Sequence, residues 1–249
     1  MPPLDELTNR LRSLADPAKK MWWERYLKGE IEFLGVPMAD IRTAIHAWVD
    51  SAGMDADEAR EAALALLRRP LAEEKLAGIL LLQERVAPAG ALLPTRDLPV
   101  IARLFDDGHI WEWSTTDWLC VRVIGPMVAA GGRPVAAMVA GWVAAPGLWR
   151  RRAAVVAFVP VAGGGETTAP WLVDTVLEVC AATVSDRARF AQTAIGWVLR
   201  ELSGPAPDRT HGFVLAHRAS MSREATRMAA RLDDELRASL GVTGKRSRR

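Results

Sequence analysis

The sequence predicts an all-α chain whose short helices stack in antiparallel pairs. Three observations carry this reading. Alanine occurs in almost every segment, and the period-2 alternation of Val, Ile and Thr that marks strands is nearly absent. The punctuation is Pro, Gly, Asp and Ser. Comparable second helices recur about every 35 to 42 residues, near the length of a HEAT-type helical pair.

In chain order the expected helices are 4–15, 17–29, 38–50, 55–69, 71–87, 96–107, 114–130, 133–145, 147–161, 169–184, 187–203, 207–217 and 221–240. Asp16 before Pro17 places a capping carboxylate ahead of a proline at the first helical position, where a missing N–H costs least. Ser220, followed by Arg223 and Glu224, resembles a cap with a first-turn acid. Gly53, Gly108, Gly204 and Gly241 stand where helices should stop. Two segments, Trp149-Arg-Arg-Arg-Ala-Ala-Val-Val-Ala-Phe158 and Phe190-Ala-Gln-Thr-Ala-Ile-Gly-Trp-Val-Leu199, share an order of aromatic, polar turn and apolar run. Helical pairs of this kind bury their faces on neighbours and form a solenoid with an extended concave surface. The expected architecture is a single HEAT-like domain of about six pairs over 1–240, followed by a basic, disordered tail at 241–249.

Composition narrows the function. Of 249 residues 50% are apolar and 25% charged, enough to build a core and too apolar for disorder. The apolar stretch from Val135 to Trp149 is cut by Pro146 and falls short of the ~20 residues a bilayer crossing needs. The first residues, Met1-Pro-Pro-Leu-Asp-Glu-Leu7, lack the basic and apolar blocks of a secretory signal, so a cytoplasmic chain without a membrane partner is expected. Cys120 and Cys180 are isolated, against both a disulfide framework and structural zinc. His46, His109, His211 and His217 form no recognisable ligand set. Nucleotide, zinc-protease and hydrolase motifs are missing, and Gly163-Gly-Gly-Glu166 reads as a loop. Four of the 32 basic residues lie in Lys245-Arg-Ser-Arg-Arg249. Without them 28 basic residues face 30 acidic ones, a balance of −2, so polyanion affinity must come from how charge is distributed.

Three segments carry candidate chemistry. In Ile110-Trp-Glu-Trp-Ser-Thr-Thr-Asp-Trp-Leu-Cys120, helical spacing puts Trp113 and Asp117 on one side, with Trp111 and Trp118 roughly opposite as core packing. A carboxylate one turn beyond an indole suits a cationic or positively developing ligand; the plainer reading is packing by Trp113 and pairing of Asp117 with an Arg. In Leu148-Trp-Arg-Arg-Arg-Ala-Ala154, Trp149 should pack inward with Ala153 and Val156. One or two of the arginines could serve phosphate oxygens, while the ordinary outcome is solvation. In Gln192-Thr-Ala-Ile-Gly-Trp-Val-Leu-Arg-Glu201, Ile195, Val198, Leu199 and Leu202 form the apolar stripe, and Trp197 falls on the mixed face near Thr193 and Arg200. Gly196 costs about 1 kcal/mol of helix stability relative to Ala, which points to close approach of another backbone or a ligand.

These blocks, with Arg25-Tyr-Leu-Lys28 and Phe33-Leu-Gly-Val-Pro37, resemble in the same order those of the AlkD-like DNA alkylation repair glycosylases, which are HEAT-like solenoids. The resemblance implies Asp117 as the catalytic aspartate and Trp113 and Trp197 as active-site tryptophans. It implies Arg152 as a DNA contact near the lesion and Tyr26, Gly35 and Pro37 as weaker DNA-binding candidates; Arg151 and Arg200, in the same two blocks, are further DNA-binding candidates. It implies hydrolysis of N3- and N7-alkylated purines in double-stranded DNA by a monomer, without base flipping, metal or other cofactor. The family's range extends to bulky minor-groove adducts and antibiotic self-resistance. The alternative is a non-catalytic HEAT-like module that binds DNA or protein. Around Gly125 and at 163–168 the chain departs from the family pattern.

Overall fold

The computed structural model describes residues 4–241, and of Thr168 the backbone alone. Every regular element among them is helical, as the composition predicts. The basic tail expected from 241 onward lies, beyond Gly241, outside the described residues. The chain packs as two compact units that divide between Val123 and Ile124.

The first unit holds α1 (Leu4–Ser13), α2 (Pro17–Tyr26), α3 (Met38–Ala52), α4 (Ala56–Leu67), α5 (Ala72–Leu81), α6 (Pro94–Asp106) and α7 (Trp113–Leu119). Asp16 caps α2 as expected, accepting from the amides of Ala18 (2.9 Å) and Lys19 (3.1 Å). Asp55 and Glu58 form a reciprocal capping box on α4. α5 and α7 each run on into a π-helical turn, Leu82–Val86 and Cys120–Ile124. Leu7, Leu11, Ile41, Ile45 and Trp48 form the interior with Leu66 and Ile79. Each such side chain contributes about 1.5–3 kcal/mol by leaving water.

Charged groups also sit in this interior. Glu73, Glu74 and Lys75 open α5 and are at most 1% exposed. Burying charge is tolerated only where hydrogen bonds replace water, and each has them. Glu73 accepts from the amides of Leu34 (2.9 Å), Gly35 (2.8 Å) and Val36 (3.2 Å), which pins the loop between α2 and α3. Glu74 accepts from the Thr8 hydroxyl (2.6 Å) and the Leu71 amide (3.2 Å) and meets Arg69 at 3.1 Å. Lys75 donates to the carbonyls of Leu67 (2.9 Å) and Arg69 (2.5 Å). In that loop Gly35 has φ +87°, and a Cβ there would lie 2.2 Å from the Asp16 carbonyl oxygen. No other residue fits this turn.

The second unit holds α8 (Gly125–Ala140), α9 (Leu148–Val156), α10 (Val159–Ala162), α11 (Gly165–Thr168), α12 (Leu172–Thr183), α13 (Arg189–Leu202), α14 (Pro207–His217), α15 (Arg223–Ala229) and α16 (Asp234–Ser239). Gly132, at φ 61° and ψ −152°, breaks α8 between the two helices expected at 114–130 and 133–145. It interrupts Trp113–Ala144, the stretch among the described residues long and apolar enough by composition to cross a bilayer. Met127, Val128, Val135 and Val139 from this stretch are instead buried in the protein.

Several boundaries differ from expectation for identifiable reasons. The helix expected at 147–161 divides into α9 and α10 around Ala157 and Phe158, because Pro160 lacks the N–H that would continue the ladder. The one expected at 221–240 divides at Asp233, whose carboxylate caps α16 through the Leu236 amide (2.9 Å). The cap of α15 is Ser222, which accepts from the Ala225 amide (3.0 Å), and not Ser220. The Gly163–Glu166 loop contains the one-turn α11. Gly53, Gly108 and Gly241 take the left-handed conformation expected of helix stops, whereas Gly204 does not.

Candidate active site

In the first unit the candidate residues gather around the start of α7. Glu112 is its N-cap, with carboxylate oxygens 2.5 Å from the amides of Ser114 and Thr115. The Thr116 hydroxyl donates to the Glu112 carbonyl at 2.7 Å. These bonds satisfy the amides of the first turn of a seven-residue helix. Burial pushes the Glu112 carboxyl above its ordinary value, with the charge of Asp117 adding to the shift against its amide hydrogen bonds.

Trp113 and Asp117 stand one helical turn apart on α7, and both are half-buried. Trp113 packs on a buried cluster of Leu27, Ile31, Phe33 and Ala72 and takes the edge of Tyr26 at 5.6 Å between centroids, with planes at 74°. Trp111 lies on the same cluster, which follows the expectation of packing. Its indole N–H donates to the Glu30 carbonyl at 2.8 Å, and the Lys75 ammonium sits 4.5 Å from its ring centroid. Trp118, expected to pack in the same way, has the same intermediate exposure. It is half-buried with the Arg122 guanidinium, one turn further along the chain, 5.0 Å from its ring centroid.

Lys75 therefore joins α5 to the segment that feeds α7. Burial lowers its amine to about 8, and Glu74 and Glu112 oppose this only in part. An unfolded lysine titrates near 10.4, so between those values the unfolded chain binds the extra proton and stability rises with pH. Relative to Lys75→Met, the wild type should gain up to about 3 kcal/mol between pH 7 and 11 in denaturant titrations. Identical pH dependence in the two proteins would remove this role.

In the second unit, α13 buries Ile195, Val198, Leu199 and Leu202 completely and leaves Trp197 half-buried on the opposite side, as its spacing predicts. The close approach expected at Gly196 is made by α15: a Cβ there would lie 2.7 Å from the Ala225 carbonyl oxygen and 2.8 Å from the Ala225 Cα. Gly→Ala on a helix ordinarily gains about 1 kcal/mol. Here the sign reverses, and Gly196→Ala should lose about 1–3 kcal/mol and several degrees of melting temperature. A raised melting temperature would contradict the packing.

The arginines around α13 are tied to the protein. Arg152 is 4% exposed and donates to the Phe190 carbonyl (2.6 Å) and the Thr193 hydroxyl (3.1 Å) with its plane over the Phe190 ring. Arg151 meets Asp186 through two nitrogens (3.0 and 2.9 Å) and donates to the carbonyls of Ala145 (2.9 Å) and Pro146 (2.5 Å). Arg200 donates twice to Glu201 and stays half-buried. Trp149 is half-buried against Phe190, with centroids 5.1 Å apart. Among the described residues no group of three His, Cys, Asp or Glu side chains could hold a metal ion.

Sequence reasoning missed Glu112 and Lys75 because glutamate is an unusual cap and lysine an unusual core residue. It also passed over Trp22 and Trp23, whose adjacency on one short helix was the available signal. Successive side chains point about 100° apart, so one neighbour cannot cover both.

Fold and site together define an all-helical, HEAT-like repeat protein with a carboxylate and indole at a capped helix start. The family described as DNA alkylation repair enzyme matches the chain over residues 7–232. The chain belongs to that family. A solved structure described as a predicted DNA alkylation repair enzyme from Enterococcus faecalis superposes with a TM-score of 0.73. At 16% identity it covers 89% of this chain and 97% of its own, and supports the fold. No curated protein matches the chain.

Proposed function

We propose that this DNA alkylation repair enzyme is a glycosylase that hydrolyses the N-glycosidic bond of cationic N3- and N7-alkylated purines in duplex DNA. Bulky minor-groove adducts fall within its range, and the lesion stays stacked during the reaction. The observation that carries the reading is the pair of half-buried side chains, Trp113 and Asp117, one turn apart on a capped helix.

Alkylation makes the purine cationic and a good leaving group. The C1′–N bond breaks with its electron pair passing to the base, and positive charge grows on the deoxyribose. The Asp117 carboxylate stabilises that charge and orients a water molecule, whose oxygen bonds to C1′ while its proton passes to solvent. The electron-rich face of Trp113 lies on the same side of α7 and favours the cationic sugar. Trp197 takes the second indole role by family resemblance, supported by its partial exposure on a helix that is otherwise largely buried.

For DNA binding, exposed Tyr26 and half-buried Arg200 are the contacts best supported by their accessibility. Arg152 and Arg151 contribute a held positive charge, Arg152 next to the helix of Trp197. Gly35 and Pro37 contribute through the backbone of a loop that Glu73 fixes in shape. The test is release of 7-methylguanine or 3-methyladenine from methylated duplex, with abasic sites as the second product. Tight duplex binding without base release would leave a binding module and end the glycosylase proposal.

A further inference from the structure

α2 buries none of its residues. Trp22 is 57% exposed and Tyr26 54%, and their rings stack with centroids 5.3 Å apart and planes 11° from parallel. Trp23 stands edge-on to Trp22 at 4.7 Å and stacks on Phe33 at 5.6 Å, so the buried cluster fixes the group from behind. Exposing so much indole and phenol costs hydrophobic free energy that ordinary folding would recover, which marks the face as one that meets a partner.

The surrounding charge narrows the partner. Spacings of three and four residues place Lys19, Trp22 and Tyr26 on one stripe, with Arg25 beside it and Lys28 just beyond the helix. Arg25 and Lys28 are exposed and enter no ion pair among the described residues. Lys19 is paired with Asp16 (3.1 Å), and Lys20 pairs with Glu24 (2.8 Å) and Glu32 (3.4 Å) while donating to the Phe33 carbonyl. Flat aromatic rings with unneutralised cations alongside are complementary to a strand that carries both bases and phosphates. A paired base has no free face to offer. An unpaired one does.

We propose that the outer face of α2 is a platform for an unpaired nucleobase, which stacks on Trp22 while Arg25 and Lys28 take the flanking phosphates. Tyr26, in edge contact with Trp113, connects this platform to the start of α7. The proposal rests on the DNA-acting reading for its class of partner and on nothing in the glycosylase chemistry.

The experiment uses the full chain and three labelled, undamaged DNA probes: a single strand, a perfect duplex and a duplex with a short bulge. Trp22→Ala, at an exposed position that leaves the core intact, should weaken binding of the single strand and the bulge by about 5- to 150-fold, the range for one lost base stack. It should leave the perfect duplex within about twofold, and Trp22→Phe should restore most of the loss, since a phenyl ring still stacks. Equal binding by wild type and Trp22→Ala, or an equal loss on all three probes, overturns the platform. So does a wild-type dimer dissolved by Trp22→Ala, or vesicle binding to anionic phospholipid without preference for unpaired DNA. Base release from methylated duplex, read on the same preparations, reports on the glycosylase separately. Its absence in a wild type that still prefers unpaired DNA ends that reading and supports the platform.

Discussion

On the proposed chemistry, Asp117→Asn should lower the rate of 7-methylguanine release from methylated duplex by about 10²- to 10³-fold, the cost of removing one preorganised electrostatic group from a developing charge. The amide keeps the shape of the carboxylate and loses its charge. Substrate affinity should change little, because the interaction grows in the transition state and is weak in the ground state. The change should thus fall on single-turnover rate rather than on binding. Loss of the Asp117 charge also removes one of the influences that raise the buried Glu112 carboxyl, so the cap of α7 is not weakened by the substitution. A variant as fast as wild type would take Asp117 out of the reaction.

The largest loss of stability is expected at Glu73. Its carboxylate is the acceptor for three successive amides, Leu34, Gly35 and Val36, and is 1% exposed. Glu73→Ala leaves these donors in the interior without an acceptor, at about 1–3 kcal/mol for each buried unsatisfied group. Because the three act as one unit, the total should be about 3–5 kcal/mol rather than their full sum. Glu73→Gln retains one oxygen but turns an N–H₂ toward backbone N–H groups, so it should fall between wild type and alanine. Denaturant midpoints for the three proteins test the order. A Glu73→Ala protein within 1 kcal/mol of wild type would show that water or rearrangement satisfies the loop.

What the sequence revealed follows the range of the interactions involved. Asp16 with Pro17, and Gly53 and Gly108, act on their own helix ends, and these were legible. The break near residue 132 falls where the expected helices 114–130 and 133–145 meet. The Trp113–Asp117 pair and the apolar stripe beside Trp197 depend only on helical periodicity, and both were found. Glu73, Glu74 and Lys75 look like an ordinary solvated first turn. Their burial depends on Leu34 to Val36, Thr8 and Trp111, tens of residues away, and no local pattern encodes those partners. Ser222 rather than Ser220 caps α15 because either serine satisfies the local rule and tertiary structure chooses between them. Here the Ser222 amide is held by Gln192 at 2.7 Å.

The two cysteines have a consequence for a member of a DNA alkylation repair family. Cys120 and Cys180 have no solvent-exposed surface, and burial raises the Cys180 thiol well beyond its normal range. Methylating agents react with thiolates faster than with most other protein groups, and a thiol kept protonated and walled off is a poor target. The chain thus keeps both sulfur nucleophiles out of reach of methylating agents, and it should survive doses that would inactivate a protein with a surface cysteine.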